Sequence, residues 1–173
     1  MKNAKWLYDI DSSNSYRYSL GYFTEKPLLC VGVNPSTATP DKLDNTIRSV
    51  ARIASANKYD GWIMINLYPQ RSTNPNDLHV QPITSLMQQN ILTIQKILIT
   101  YNISEIWAAW GTLINKRPYL KKCLADIFSL TTPSSWVTYG NLSKAGHPHH
   151  PLYLATSASK SAFDVQKYLD LFK

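Results

Sequence analysis

The sequence predicts an α/β fold: a three-layer sandwich whose central four-stranded, mainly parallel sheet carries helices on both faces. Three observations lead there. Short apolar runs alternate with segments of helical periodicity along most of the chain, the pattern of right-handed crossovers feeding a parallel sheet. Turn-forming residues bound each run. Each run also delivers polar or small residues at its C-terminal end, and in a parallel sheet those ends share the one edge where such folds bind ligands.

In chain order, residues 1–26 alternate aromatic and polar side chains (Tyr16, Tyr18, Leu20, Tyr22) about Gly21, as an edge hairpin covering the sheet does. Residues 27–173 form the core of what reads as a single α/β domain over 1–173. Leu28 to Val31, between Pro27 and Gly32, is the first buried strand, and Val33-Asn34-Pro35-Ser36 turns sharply at its exit. Asp44 is the N-cap of a helix running to Asn57, with Ile47, Val50, Ala51, Ile53 and Ala54 at helical spacing. The second strand is Trp62 to Leu67. Residues 68–82, rich in proline, asparagine and aspartate, form an ordered loop over the sheet edge. The longest helix, Ile83 to Tyr101, turns Leu86, Asn90, Ile91, Ile94, Ile97 and Leu98 inward. Glu105 to Trp110 is the third strand, ended by Gly111. A helix from Pro118 to Phe128, a fourth strand from Trp136 to Tyr139 and an amphipathic helix from Ser161 to Phe172 complete the fold.

A chain of 173 residues buries roughly two thirds of its unfolded surface without covalent staples. Its hydrophobic fraction of 44% and aromatic fraction of 12% exclude a disordered chain. Cys30 lies within a strand and Cys123 within a helix, so both read as reduced core residues. The start, MKNAKWLYDIDSS, has no apolar core of a signal peptide, and no apolar run approaches the roughly 20 residues of a membrane helix. These features point to a cytoplasmic protein with no membrane partner; a monomer is the expectation, though the sequence itself leaves the oligomeric state open. The net charge of +7 favours a polyanionic partner. Lys116, Arg117, Lys121 and Lys122 cluster after the third strand; Lys58, Arg71, Lys144 and Lys160 fall near other loops or the last helix. These cations are either a solvated face or a phosphate-tracking one.

Cofactor chemistry finds no motif. There is no G-x-G-x-x-G or Walker sequence, which argues against dinucleotide and nucleoside triphosphate binding. Ser36 sits on a strand-to-helix turn but not in a G-x-S-x-G elbow. Pro148 and Pro151 interrupt His147, His149 and His150, and no carboxylate or cysteine lies beside them, so no metal site is expected. What remains is an uncharged pocket: Asn34, Ser36, Asn66, Gly111 and His150, with aromatic residues around it. A side-chain amide offers a donor and an acceptor in one plane, the pattern of a nucleobase edge. Either asparagine alone would cap a turn. Both together, at equivalent exits of adjacent strands, point to a ligand site.

The motifs VGVNPSTA with Asp44-Asn45-Thr46-Ile47, INLYPQRSTNP, AAWG and GHPHHPLYL follow one another from about Tyr16 to Tyr153. In that order they resemble the bacterial and phage family known as domain of unknown function 1643. More distantly, VGVNPS, IMINL, AAWG and HPHHPLYL are similar to the four ordered motifs of the uracil-DNA glycosylase superfamily, and imply its fold. That resemblance implies hydrolysis of a base–sugar bond in nucleic acid, DNA in preference to RNA. Asn34 would position the water and Asn66 would read the base. His150, or His147 as second choice, would donate to the leaving base. Ser36, Gly111, Tyr68 and Trp110 would complete the base pocket, with Tyr68 or Trp110 stacking on the base, and Arg71, Lys116, Arg117 and Lys144 would hold backbone phosphates. Two cysteines are too few for the iron–sulfur cluster of some branches, so no cofactor is implied. The alternatives are a non-catalytic module that binds a modified base, and an enzyme acting on free nucleotides.

Overall fold

A computed structural model of the protein describes residues 3–172. Residues 1, 2 and 173, the ends of the expected hairpin and domain, lie outside the described residues. The fold is mixed α/β. Its strands are β1 (Lys5–Ile10), β2 (Arg17–Phe23), β3 (Leu28–Gly32), β4 (Gly61–Asn66), β5 (Glu105–Ala108), β6 (Ser135–Tyr139) and β7 (Lys160–Ala162). Its helices are α1 (Asn45–Ala56), α2 (Thr84–Thr100), α3 (Tyr119–Phe128) and α4 (Val165–Asp170).

The sheet has seven strands in the order β1-β2-β4-β3-β5-β6-β7, not four. The four strands read from the sequence are its centre, where β4, β3, β5 and β6 pair in parallel. The N-terminal hairpin does more than cover this centre: β2 pairs antiparallel with β4, from Leu20 opposite Met64 to Phe23 opposite Gly61. At the other edge, β7 pairs antiparallel with β6 through Lys160, Ser161 and Ala162. These three exposed residues carry no alternation of polarity. The closing helix consequently begins at Val165 rather than Ser161, with the Asp164 carboxylate accepting from the Lys167 N–H at 2.9 Å.

Central strands buried on both faces read as continuous apolar runs, and successive side chains divide between two core layers. Leu28, Cys30, Trp62, Met64 and Trp107 pack with Ile47, Val50 and Ile53 of α1. Leu29, Val31, Ile63, Ile65 and Ile106 pack with Ile94 of α2, Leu120 of α3 and Tyr168 of α4. Cys30 and Cys123 are free thiols buried in opposite layers. Among the described residues no helix is long and apolar enough to cross a membrane.

Candidate functional site

A cleft of about 410 Å³ opens where β3 and β4 end, beside the first turn of α1 and the short turn Pro151–Tyr153. Asn66, the last residue of β4, lines it. The side chain is 1% exposed, and neither its amide nitrogen nor its carbonyl oxygen has a hydrogen-bond partner. Each such unmet buried group costs about 1–3 kcal/mol, and both atoms are free to bond a group that enters the cleft. Gly32 at the end of β3 makes room for it: a Cβ at that position would lie 2.9 Å from Asn66 Oδ1 and 2.5 Å from the Met64 methyl.

Asn34 lies two residues beyond β3, half-buried on the same cleft. Its Nδ2 donates to the carbonyls of Pro35 and Ser72, both at 2.9 Å, and of Gln70 at 3.5 Å. Three carbonyls on one side fix the amide's orientation. Oδ1, which takes no protein donor, is then a pre-set acceptor facing away from them.

His150 caps the turn that follows it, its Nδ1 accepting from the Leu152 N–H at 3.3 Å. A ring accepting at Nδ1 carries its proton on Nε2, so neutral His150 is a donor on the cleft wall. Burial holds its pKa below the ordinary 6.5, against a smaller opposing pull from Asp44, which favours that neutral form. Gly111 lets the two segments approach. Its φ of +59° suits glycine, and a Cβ there would lie 3.3 Å from that of His150. Ser36 lines the cleft as well.

A family model described as "Protein of unknown function (DUF1643)" matches residues 17–152, from the arginine that opens β2 through the loop that carries His150. The chain belongs to the DUF1643 family. No curated protein and no solved structure matches it.

Other residues singled out from this DUF1643 sequence lie elsewhere. Tyr68 and Trp110, expected to stack on a base, are fully buried in the layer facing α2, α3 and α4. The Tyr68 hydroxyl accepts from Ile83 N–H and pairs with His79 Nδ1, and the Trp110 indole donates to the Tyr168 hydroxyl. His147 is 3% exposed, with its ring nitrogens held by Tyr168 at 2.7 Å and Asn115 at 3.0 Å. It lines a neighbouring pocket, not the main cleft. Arg117, expected on a phosphate backbone, is a strut: its guanidinium donates to the carbonyls of Asn76, Leu78, His79 and Lys116. Arg71 similarly braces Ser36, Ala38 and Tyr8. Lys116 and Lys144 are exposed and off the cleft.

Two residues on the cleft were not legible as site residues. Asp44, expected as an N-cap and as part of the motif shared with the DUF1643 family, accepts from the Ile47 N–H at 2.9 Å and also lines the cleft. Arg17 lines it from the start of β2 and is 2% exposed; the available signal was an arginine opening a strand that carries Tyr18, Leu20, Tyr22 and Phe23. Among the described residues no group of three His, Cys, Asp or Glu side chains converges as metal ligands would.

Proposed function

We propose that this protein is a base-recognising N-glycosidase that hydrolyses the bond between a nucleobase and its sugar in nucleic acid, on a fold akin to the uracil-DNA glycosylases. The observation that carries the reading is the buried, unpartnered amide of Asn66 on a cleft that also holds the Asn34 acceptor and the His150 donor. The order of motifs along the chain supports the fold and the roles together. An extruded nucleotide would enter at the strand exits, where Asn66 would bond the base edge through Nδ2 and Oδ1.

As the C1′–N bond breaks, its electron pair leaves with the base. His150 Nε2–H then stabilises the charge gathering on a base carbonyl oxygen. The sugar becomes a cation that a water oriented by Asn34 Oδ1 captures at C1′. An amide accepts no proton, so the water's proton passes to solvent and the departing base takes one up. Asp44 supplies the negative charge that a neutral Asn34 lacks, stabilising the sugar cation across the cleft.

The test incubates the protein with single- and double-stranded oligonucleotides carrying uracil, hypoxanthine or other altered bases and measures abasic sites. Asn34→Ala, Asn66→Ala, His150→Ala and Asp44→Asn accompany it. Asparagine caps helices as well as aspartate, so Asp44→Asn isolates the charge from the cap. Its release rate should fall about tenfold or more with little change in Tm. No base release from any oligonucleotide by the wild type overturns the hydrolytic reading. The neutral group at Asn34 favours one second reading, base recognition without hydrolysis, and binding without release would establish it.

A further inference from the structure

We infer that the cleft contains a phosphate subsite formed by Arg17 and the first turn of α1, distinct from the amide that would read a base. Arg17 is almost wholly buried, and Nε has no partner. Its Nη1 donates to the Ala38 carbonyl at 3.0 Å. Arg71 donates to the same oxygen at 3.3 Å, and its Nε is likewise buried without a partner. Two guanidinium groups thus converge on one carbonyl. Among the described residues neither has a carboxylate at ion-pair distance.

Burying like charges together is costly unless a counter-charge joins them. The groups facing Arg17 make the imbalance concrete. Burial first, and Arg71 second, bring its pKa down to about 10, while Asp44 and Tyr8 pull the other way. Arg17 therefore stays protonated at neutral pH. Asp44 is the one carboxylate on the cleft, and its Oδ1 is engaged by the Ile47 N–H.

Beyond the Asp44 cap, the first turn of α1 still presents backbone donors to the cleft. Asn45, Thr46 and Ile47 line the cleft. Asp44 takes the N–H groups of Ile47 and Arg48, leaving those of Asn45 and Thr46 as the unmatched donors of a helix N-terminus. A guanidinium fork and a pair of backbone donors match the oxygens of a phosphate. Arg17 reaches the cleft from β2 and Asn66 from β4, so a nucleotide's base and phosphate would have separate holds. The phosphate could belong to a free nucleotide or to a polymer backbone; the recognising chemistry is the same.

The experiment compares thermal unfolding in inorganic phosphate with unfolding in chloride at matched ionic strength. The wild type should gain about 3 °C at phosphate concentrations ~10 times Kd. Arg17→Gln should lose the gain. Because that variant also leaves the Ala38 carbonyl without its Arg17 donor, Asn45→Pro provides a second route. Proline is well tolerated at the first helical position, and Asp44, at φ −80° and ψ 173°, already has the backbone that precedes a proline. It removes one N–H donor and should weaken phosphate by about tenfold, whereas Asn45→Ala should not. Asn66→Ala should keep the phosphate gain, so failure of base reading and failure of the subsite are separable. Displacement of phosphate by deoxyuridine 5′-monophosphate or by a short oligonucleotide identifies the source of the group, and either sustains the subsite. No gain in the wild type, or equal gains in wild type and Asn45→Pro, overturns it.

Discussion

Asn34 is an amide because of what surrounds its nitrogen. Three carbonyl oxygens within 3.5 Å accept from Nδ2, and a carboxylate there would turn an oxygen toward them. Asn34→Asp should therefore destabilise the fold. The folded state would hold the new carboxyl neutral, raising its pKa above the unfolded value, so stability would be intact at low pH and lost as pH rises through the raised pKa. Unfolding of Asn34→Asp and wild type at pH 3 and pH 7 checks this: the Tm gap should be small at the lower pH and wide at the higher. His150 has the opposite sign. Its folded pKa lies below 6.5 because burial disfavours the charged ring, so its contribution is present above the unfolded pKa and is lost as pH falls through the depressed one. Protonation also removes the Nδ1 acceptor from the Leu152 N–H. The Tm should decline on acidification below about pH 6.5, and His150→Gln should decline less. His147 shifts in the same direction, through burial and then Lys121, so a His147→Gln control divides the effect.

At the scale of elements, β3 and β4 position the cleft by ending side by side, with Gly32 paired to Asn66. Gly32→Ala would drive a Cβ against the Met64 methyl and the Asn66 amide. The methyl ends a flexible side chain and can move, so the fold should lose only about 1–3 kcal/mol. The amide would be pushed from its place, and ligand affinity, measured by calorimetry, should fall by more than stability predicts. The four parallel strands were legible because burial on both faces makes each an uninterrupted apolar run flanked by turn residues. β7 was not: its three residues are exposed and form a strand only because β6 presents an open edge. The asparagines were legible as strand-exit residues, but exit position does not tell which face a neighbour takes. Trp110 follows the alternation of Ala108 into the layer of α2, α3 and α4, while Trp107 and Ala109 face α1. Tyr68 joins the same layer as Trp110 after the chain has turned at the end of β4. Arg17 was not legible because a charge in an edge hairpin reads as solvent-facing, whereas β2 lies inside the sheet between β1 and β4 and leaves Arg17 2% exposed on the cleft wall.

Across the whole molecule, a net charge of +7 overstates what a polyanion can use. Arg71 and Arg117 are committed to backbone carbonyls. Lys122 is paired with Asp126 and Lys160 with Glu105, both at 2.8 Å. Lys121 lies over the Phe172 ring, 3.6 Å from its centroid. Lys116 and Lys144 are the exposed cations left from the candidate backbone contacts. Oligonucleotide binding should therefore weaken with salt less steeply than the net charge suggests. If these two lysines and Arg17 each neutralise one phosphate, the log–log slope for a single strand is about −2, since each contact contributes about −0.7. A Lys116→Gln/Lys144→Gln variant should reduce that slope to about −0.7. Arg117→Gln should leave the slope unchanged and lower the Tm instead, because it removes the strut between the 76–79 loop and the segment before α3. Titrating the three proteins with one labelled oligonucleotide from low to physiological salt separates the roles. A slope near zero in the wild type would mean that the polymer backbone makes no contact with these cations, and would direct the search to free nucleotides.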